Sequence, residues 1–104
     1  MSVLSLTFHN TDSVKEEWKT YMKNELLQMA ENLMDVEKFL LSAVETEMIN
    51  EGQNTNLLLV FDNAEKRSDF IDFELQNITE RIEAKFGTNV MIFKTFLNPF
   101  GQRL

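Results

Sequence analysis

The chain opens on a pattern of period two. Across residues 3–9, Leu4, Leu6 and Phe8 share one side of an extended segment, while Val3, Ser5, Thr7 and His9 share the other. This predicts a half-buried first strand. Asn10-Thr11-Asp12-Ser13 follows, and Ser13 with Glu16 three residues on forms a capping box able to satisfy two free N–H groups at a helix start. Val14, Trp18, Tyr21, Met22, Leu26, Met29 and Leu33 then recur at helical spacing, which predicts a helix from Ser13 to about residue 33.

From Phe39 to Ile49 the pattern returns to alternation, with Leu40, Val44 and Met48 opposite Phe39, Leu41, Ala43, Glu45 and Glu47. Asn50-Glu51-Gly52-Gln53-Asn54 reads as a turn, so this second strand and the run Leu57-Leu58-Leu59-Val60-Phe61 should form a hairpin. Asp62 and Glu65 frame a second helix start, followed by Ile71, Leu75, Ile78, Ile82 and Phe86 in steps of three and four. Gly87 stands where a left-handed residue would end that helix, and residues 90–97 supply a last strand before Pro99.

The order βαββαβ is the split-βαβ pattern of ferredoxin-like α+β domains. Right-handed crossovers place both helices on one face of a four-stranded antiparallel sheet in the order 4-1-3-2. Residues 1–104 are read as one such domain, without internal repeat beyond its two βαβ halves. The third strand is apolar at every position, and so is most of the fourth, so the face without helices needs a cover. The tail 98–104 is too short to provide it. A homodimer is the expected cover, with Leu58 and Val60, or alternatively Leu57, Leu59 and Phe61, presented together with Phe93.

Composition narrows the functions. Hydrophobic residues make up 43% and charged residues 26%, as in globular chains, and nine Phe can fill a core. A net charge of −7 offers no basic stripe for phosphates, which argues against nucleic acid and anionic membrane surfaces. The absence of Cys removes thiolate metal sites, disulfides and a cysteine nucleophile. No stretch approaches the ~20 apolar residues that span a bilayer, and the first residues lack a signal-peptide pattern, so a soluble, cytoplasmic protein is expected.

Several segments resemble a bacterial family of short uncharacterised proteins with a ferredoxin-like fold, related in shape to the dimeric α/β-barrel superfamily. They are the opening strand, Glu16-Glu17-Trp18 through Tyr21-Met22-Lys23, and Phe86-Gly87-Thr88-Asn89-Val90 through Phe93-Lys94-Thr95-Phe96-Leu97. The resemblance implies the fold and no particular activity. Members often carry a His and a Pro just after the aromatic-Met-Lys stretch; here those positions fall near Leu26 and Gln28, so no role tied to that His transfers.

Candidate chemistry is sparse. His9, the sole histidine, has no second ligand or nucleophile beside it in sequence. With Trp18 and Tyr21 it forms the candidate pocket. Glu45 and Glu47 lie roughly 6 to 7 Å apart if both are in a strand, a spacing open to carboxylate chemistry, although charges on an edge strand more simply discourage strand addition. Phe73 lies opposite the apolar stripe of its helix and marks a second contact surface. No phosphate loop or hydrolase elbow occurs, and no cofactor or metal is implied. The reading is a self-associating binding or regulatory domain of unknown ligand, and its rival is a cofactor-independent enzyme or small-molecule binder.

Overall fold

The computed structural model describes residues 1–45 and 51–103. Four strands, β1 (Ser2–Asn10), β2 (Val36–Ala43), β3 (Gln53–Phe61) and β4 (Val90–Leu97), form one sheet in the order β2-β3-β1-β4, the expected 4-1-3-2 read from the other edge. All neighbours are antiparallel. Helix α1 (residues 15–31) joins β1 to β2 and helix α2 (residues 64–86) joins β3 to β4, so the architecture is ferredoxin-like.

Both helices contain a π-turn that the sequence periodicity does not announce. Helix α1 runs Lys15–Tyr21, loosens over Met22–Leu26 and continues over Leu27–Glu31; α2 runs Ala64–Asp69, loosens over Phe70–Glu74 and continues over Leu75–Phe86. Each π-turn inserts a five-residue step into the buried stripe: Tyr21 to Leu26 in α1 and Phe70 to Leu75 in α2. Phe70 therefore takes the buried place that strict helical spacing assigns to Ile71, which is half-buried.

The helix starts also differ from expectation. Ser13 does not cap α1; it sits inside a short 3₁₀ turn, Asp12–Val14, and its Oγ meets Thr11 Oγ1 at 2.8 Å. The competing tie is long range, because the Thr11 N–H donates to the Asn89 carbonyl just before β4. For α2 the cap is Asn63, whose Oδ1 accepts from the Lys66 N–H at 2.9 Å, and not Asp62. Gly87 ends α2 as expected, at φ +58°. Strand β2 begins at Val36 because a bulge between Val36 and Lys38 breaks the alternation that makes Phe39 look like its start. It ends at Ala43, and positions 46–50 lie outside the described residues.

The register divides every strand between two environments. Leu4, Leu6 and Phe8 of β1 and Leu57, Leu59 and Phe61 of β3 are wholly buried beneath the helices. Trp18 packs against Phe8, Tyr21 and Phe86 with ring centroids 5.5–5.7 Å apart, and Tyr21 meets Phe86 at 5.4 Å. The indole N–H of Trp18 donates to Thr55 Oγ1 at 3.2 Å, which satisfies the one polar atom the ring takes into the core. At one end of the sheet, Arg67 donates to the carbonyls of Val3 and Leu97 and lies 5.1 Å from the Phe96 ring, tying α2 to β1 and β4.

Candidate functional site: the open face of the sheet

The face turned away from the helices consists of four cross-strand rows. From one end they are Lys38–Val60–Val3–Leu97, Leu40–Leu58–Ser5–Thr95, Ser42–Asn56–Thr7–Phe93, and, at the other end, Asn54–His9–Met91. Leu40 is 63% exposed and Phe93 and Met91 50% each, on the two edge strands, while Leu58 and Val60 are half-buried between them. The face is apolar along most of the β4 edge and at Leu40, Leu58 and Val60, with Lys38 and Ser42 on the β2 edge and a polar track through its middle.

That track is internally bonded. His9 Nδ1 lies 2.7 Å from Asn54 Oδ1, so the protonated Nδ1 donates and Nε2 carries the lone pair in the neutral ring. Asn56 Nδ2 donates to Ser5 Oγ at 2.7 Å and reaches Thr7 Oγ1 at 3.4 Å. Gly52 (φ +79°) permits the close packing here, since a Cβ added to it would meet the Asn10 carbonyl oxygen and the His9 ring. Asn54 was hidden in the sequence by its place in an apparent turn, and Asn56 by falling between that turn and the strand read from Leu57. Their alternation with Thr55 and Leu57 is the signal that assigns them to β3 and to the open face.

The structure does not gather His9, Trp18 and Tyr21 into one pocket. Trp18 and Tyr21 stack 5.7 Å apart in the core under the helices. His9 shares the parity of Ser5 and Thr7 and projects from the opposite side of the sheet. Tyr21 is unusual in a different way: its hydroxyl is buried without a hydrogen-bond partner. Burial, reinforced by the charge of Glu25 and opposed by Arg81, raises the phenol pKa above its ordinary value of 10.0.

The folded chain thus holds this proton where the unfolded chain releases it. Tyr21 costs no stability below about pH 10, and its contribution is lost as pH rises through the folded pKa. The chain has a single tyrosine, so phenolate absorbance during alkaline titration should report Tyr21 alone, with a midpoint above 10.0. Tyr21→Phe should leave neutral-pH stability within about 1 kcal/mol of the parent, because the lost hydroxyl makes no bond. A midpoint at or below the ordinary value would contradict the burial.

Other concavities lie on the helix side. A cleft of about 630 Å³ between α2 and β4 has Ile82, Val90, Met91 and Ile92 among its lining and Glu83 as its sole ionisable group. A second, of about 380 Å³, runs between α1 and α2 beside Glu25, Asn77 and Arg81. Among the described residues no group of three or more His, Asp or Glu is placed to hold a metal, and no helix is long and apolar enough to cross a membrane.

Residues 1–100 match the model of a domain of unknown function, DUF4286. The chain belongs to this family. No curated protein matches it in sequence. Solved structures share the fold at low identity. A putative antibiotic biosynthesis monooxygenase from Deinococcus radiodurans is 14% identical, with TM-score 0.69 over 100% of this chain and 96% of that one. An ethyl tert-butyl ether d (ethd) family protein from Bacillus halodurans is 9% identical, with TM-score 0.68 over the whole of both chains. A dimeric ferredoxin-like protein of unknown function from Thermobifida fusca is 10% identical, with TM-score 0.61 over 93% and 92%.

Within this DUF4286 chain the remaining sequence candidates separate. Leu58, Val60 and Phe93 lie together on the open face. Phe73 lies elsewhere, 69% exposed on α2 beside Met34. Glu45 is exposed beyond the end of β2, and Glu47 lies outside the described residues, so the proposed carboxylate pair has no geometry to assess.

Proposed function

We propose that this protein is a self-associating binding or regulatory domain in which two copies pair through the open faces of their sheets. The observation that carries the reading is the apolar group of Leu40, Leu58, Val60, Phe93 and Leu97 beside a polar track of internally bonded side chains. Apolar surface on β4, at Leu40 of β2 and on the central Leu58 and Val60 favours association, while His9 Nδ1 and the Asn56 amide already have partners within the track. The Thermobifida fusca structure, a dimeric ferredoxin-like protein, adds support at the level of fold. The net charge of −7 speaks against nucleic acid as the partner. A cytoplasmic protein acting as one unit over residues 1–104 completes the proposal.

Phe93→Lys tests it, because an isologous contact must desolvate the new ammonium twice per dimer. Sedimentation equilibrium should show the dimer weakened by tenfold or more with an unchanged circular dichroism spectrum. An unaltered association constant would remove Phe93 from the interface.

The cleft between α2 and β4 supports the second reading, a small-molecule binder or cofactor-independent enzyme of the dimeric α/β-barrel type. Its apolar floor suits a hydrophobic ligand, and Glu83 is its one acid–base group. Native mass spectrometry of the purified protein would favour this reading if a bound organic molecule were lost in an Ile82→Trp variant that fills the floor.

A further inference from the structure

A second apolar surface lies at the corner where α1 passes into β2. Met34 is 96% exposed, and with Phe73 it borders a cavity of about 140 Å³ whose wall includes Phe70. Asp35, Asp69 and Glu74 also line this cavity, and no Lys or Arg does. The surface calls for an occupant with an apolar group and a positive charge close together.

The chain carries such a segment after its last strand. After Leu97 closes β4, the tail leaves the sheet; Phe100 is fully exposed, and Arg103 follows three residues later. Strand order determines where a second copy would deliver it. In β2-β3-β1-β4, Leu97 of β4 and Val36 of β2 stand at the same end of the sheet, connected through Val3, Val60 and Phe61. Face-to-face pairing about a twofold axis parallel to the strands sets β4 of one copy opposite β2 of the other, with like ends together. The partner's tail then emerges beside Val36, two residues from Met34. Paired sheets are ~10 Å apart; three extended residues carry Phe100 ~10 Å, to the β2 edge beside Met34, and six carry Arg103 ~20 Å, to the helix layer.

We infer that residues 98–103 of each copy form an arm that docks on the Met34/Phe73 surface of the other, Phe100 against the apolar wall and Arg103 among the three carboxylates. The inference rests on the sheet-to-sheet dimer proposed above. The exchange is reciprocal, so it closes within one dimer and leaves neither surface free to propagate.

The absence of native cysteine makes the test clean. The double variant Gln102→Cys/Met34→Cys, oxidised mildly and run on non-reducing gels, should form a covalent dimer. A control pair, Gln102→Cys/Lys19→Cys, should not, because Lys19 lies in the first turns of α1, toward the other end of the sheet. Phe73→Asp in the parent should raise the dimer dissociation constant about tenfold or more. Light scattering that shows a dimer in solution without this cross-link would overturn the arm and leave the sheet pairing standing. A disulfide formed within one chain would also overturn it, assigning the surface to the chain's own tail. A monomer without cross-link would overturn both.

Discussion

Leu58→Lys should give a folded monomer, and Leu59→Lys an unfolded chain, although the two positions are adjacent and chemically identical. Leu59 is wholly buried in the cluster under the helices. A lysine there leaves an unpaired ammonium in the core, at a cost of ~3–5 kcal/mol or more, to be set against a total stability of ~5–15 kcal/mol for a domain of this kind. Leu58 is half-buried on the open face, between Leu40 and Ser5, where a lysine can extend its ammonium into water in the single chain. Pairing of two sheets removes that escape. Circular dichroism and light scattering together separate the outcomes; two folded dimers would mean that β3 is not a central strand with two apolar environments.

Phe8→Ala should destabilise the domain by about 3–5 kcal/mol in urea melts. Phe8 is wholly buried on β1, with its ring 5.5 Å from Trp18, which in turn stacks on Tyr21 and meets Phe86 edge to face. Removal of the phenyl ring opens a cavity where strand and both helices meet, and Trp18 cannot relax into it without giving up its bond to Thr55. The contrast is Phe93→Ala on the open face of β4. Its ring is half in solvent in the single chain, so monomer stability should change much less. Equal losses at the two positions would contradict the assignment of faces.

The element order was legible because strand-like runs and helical spacing alternate along the chain with turn residues between them, and because the apolar face of β1 is unambiguous. What escaped has physical causes. Leu57 to Phe61 is apolar throughout, so parity could not be read until pairing with β1 placed Leu57, Leu59 and Phe61 under the helices. The π-turns insert five-residue steps, which made Ile71 look buried in place of Phe70. The bulge after Val36 displaced the start of β2, and the tie from Thr11 to Asn89 displaced the cap from Ser13.

The candidate site was legible only in part. Leu58, Val60 and Phe93 do share a face, and one reading of β3 parity anticipated it. His9 could have been separated from Trp18 and Tyr21 at the outset. Leu4, Leu6 and Phe8 declare which side of β1 meets the helices, and His9 has the opposite parity. The polar track was missed because Asn54 reads as a turn residue and Asn56 falls before the apolar run, until β3 is extended back to Gln53.

Sheet-to-sheet association is the central claim, and size-exclusion chromatography with multi-angle light scattering tests it most directly. The account predicts a mass of twice 12.2 kDa for the parent at high protein concentration, falling to 12.2 kDa for Leu58→Lys with the helical spectrum intact. A parent that remains at 12.2 kDa at every concentration would contradict it.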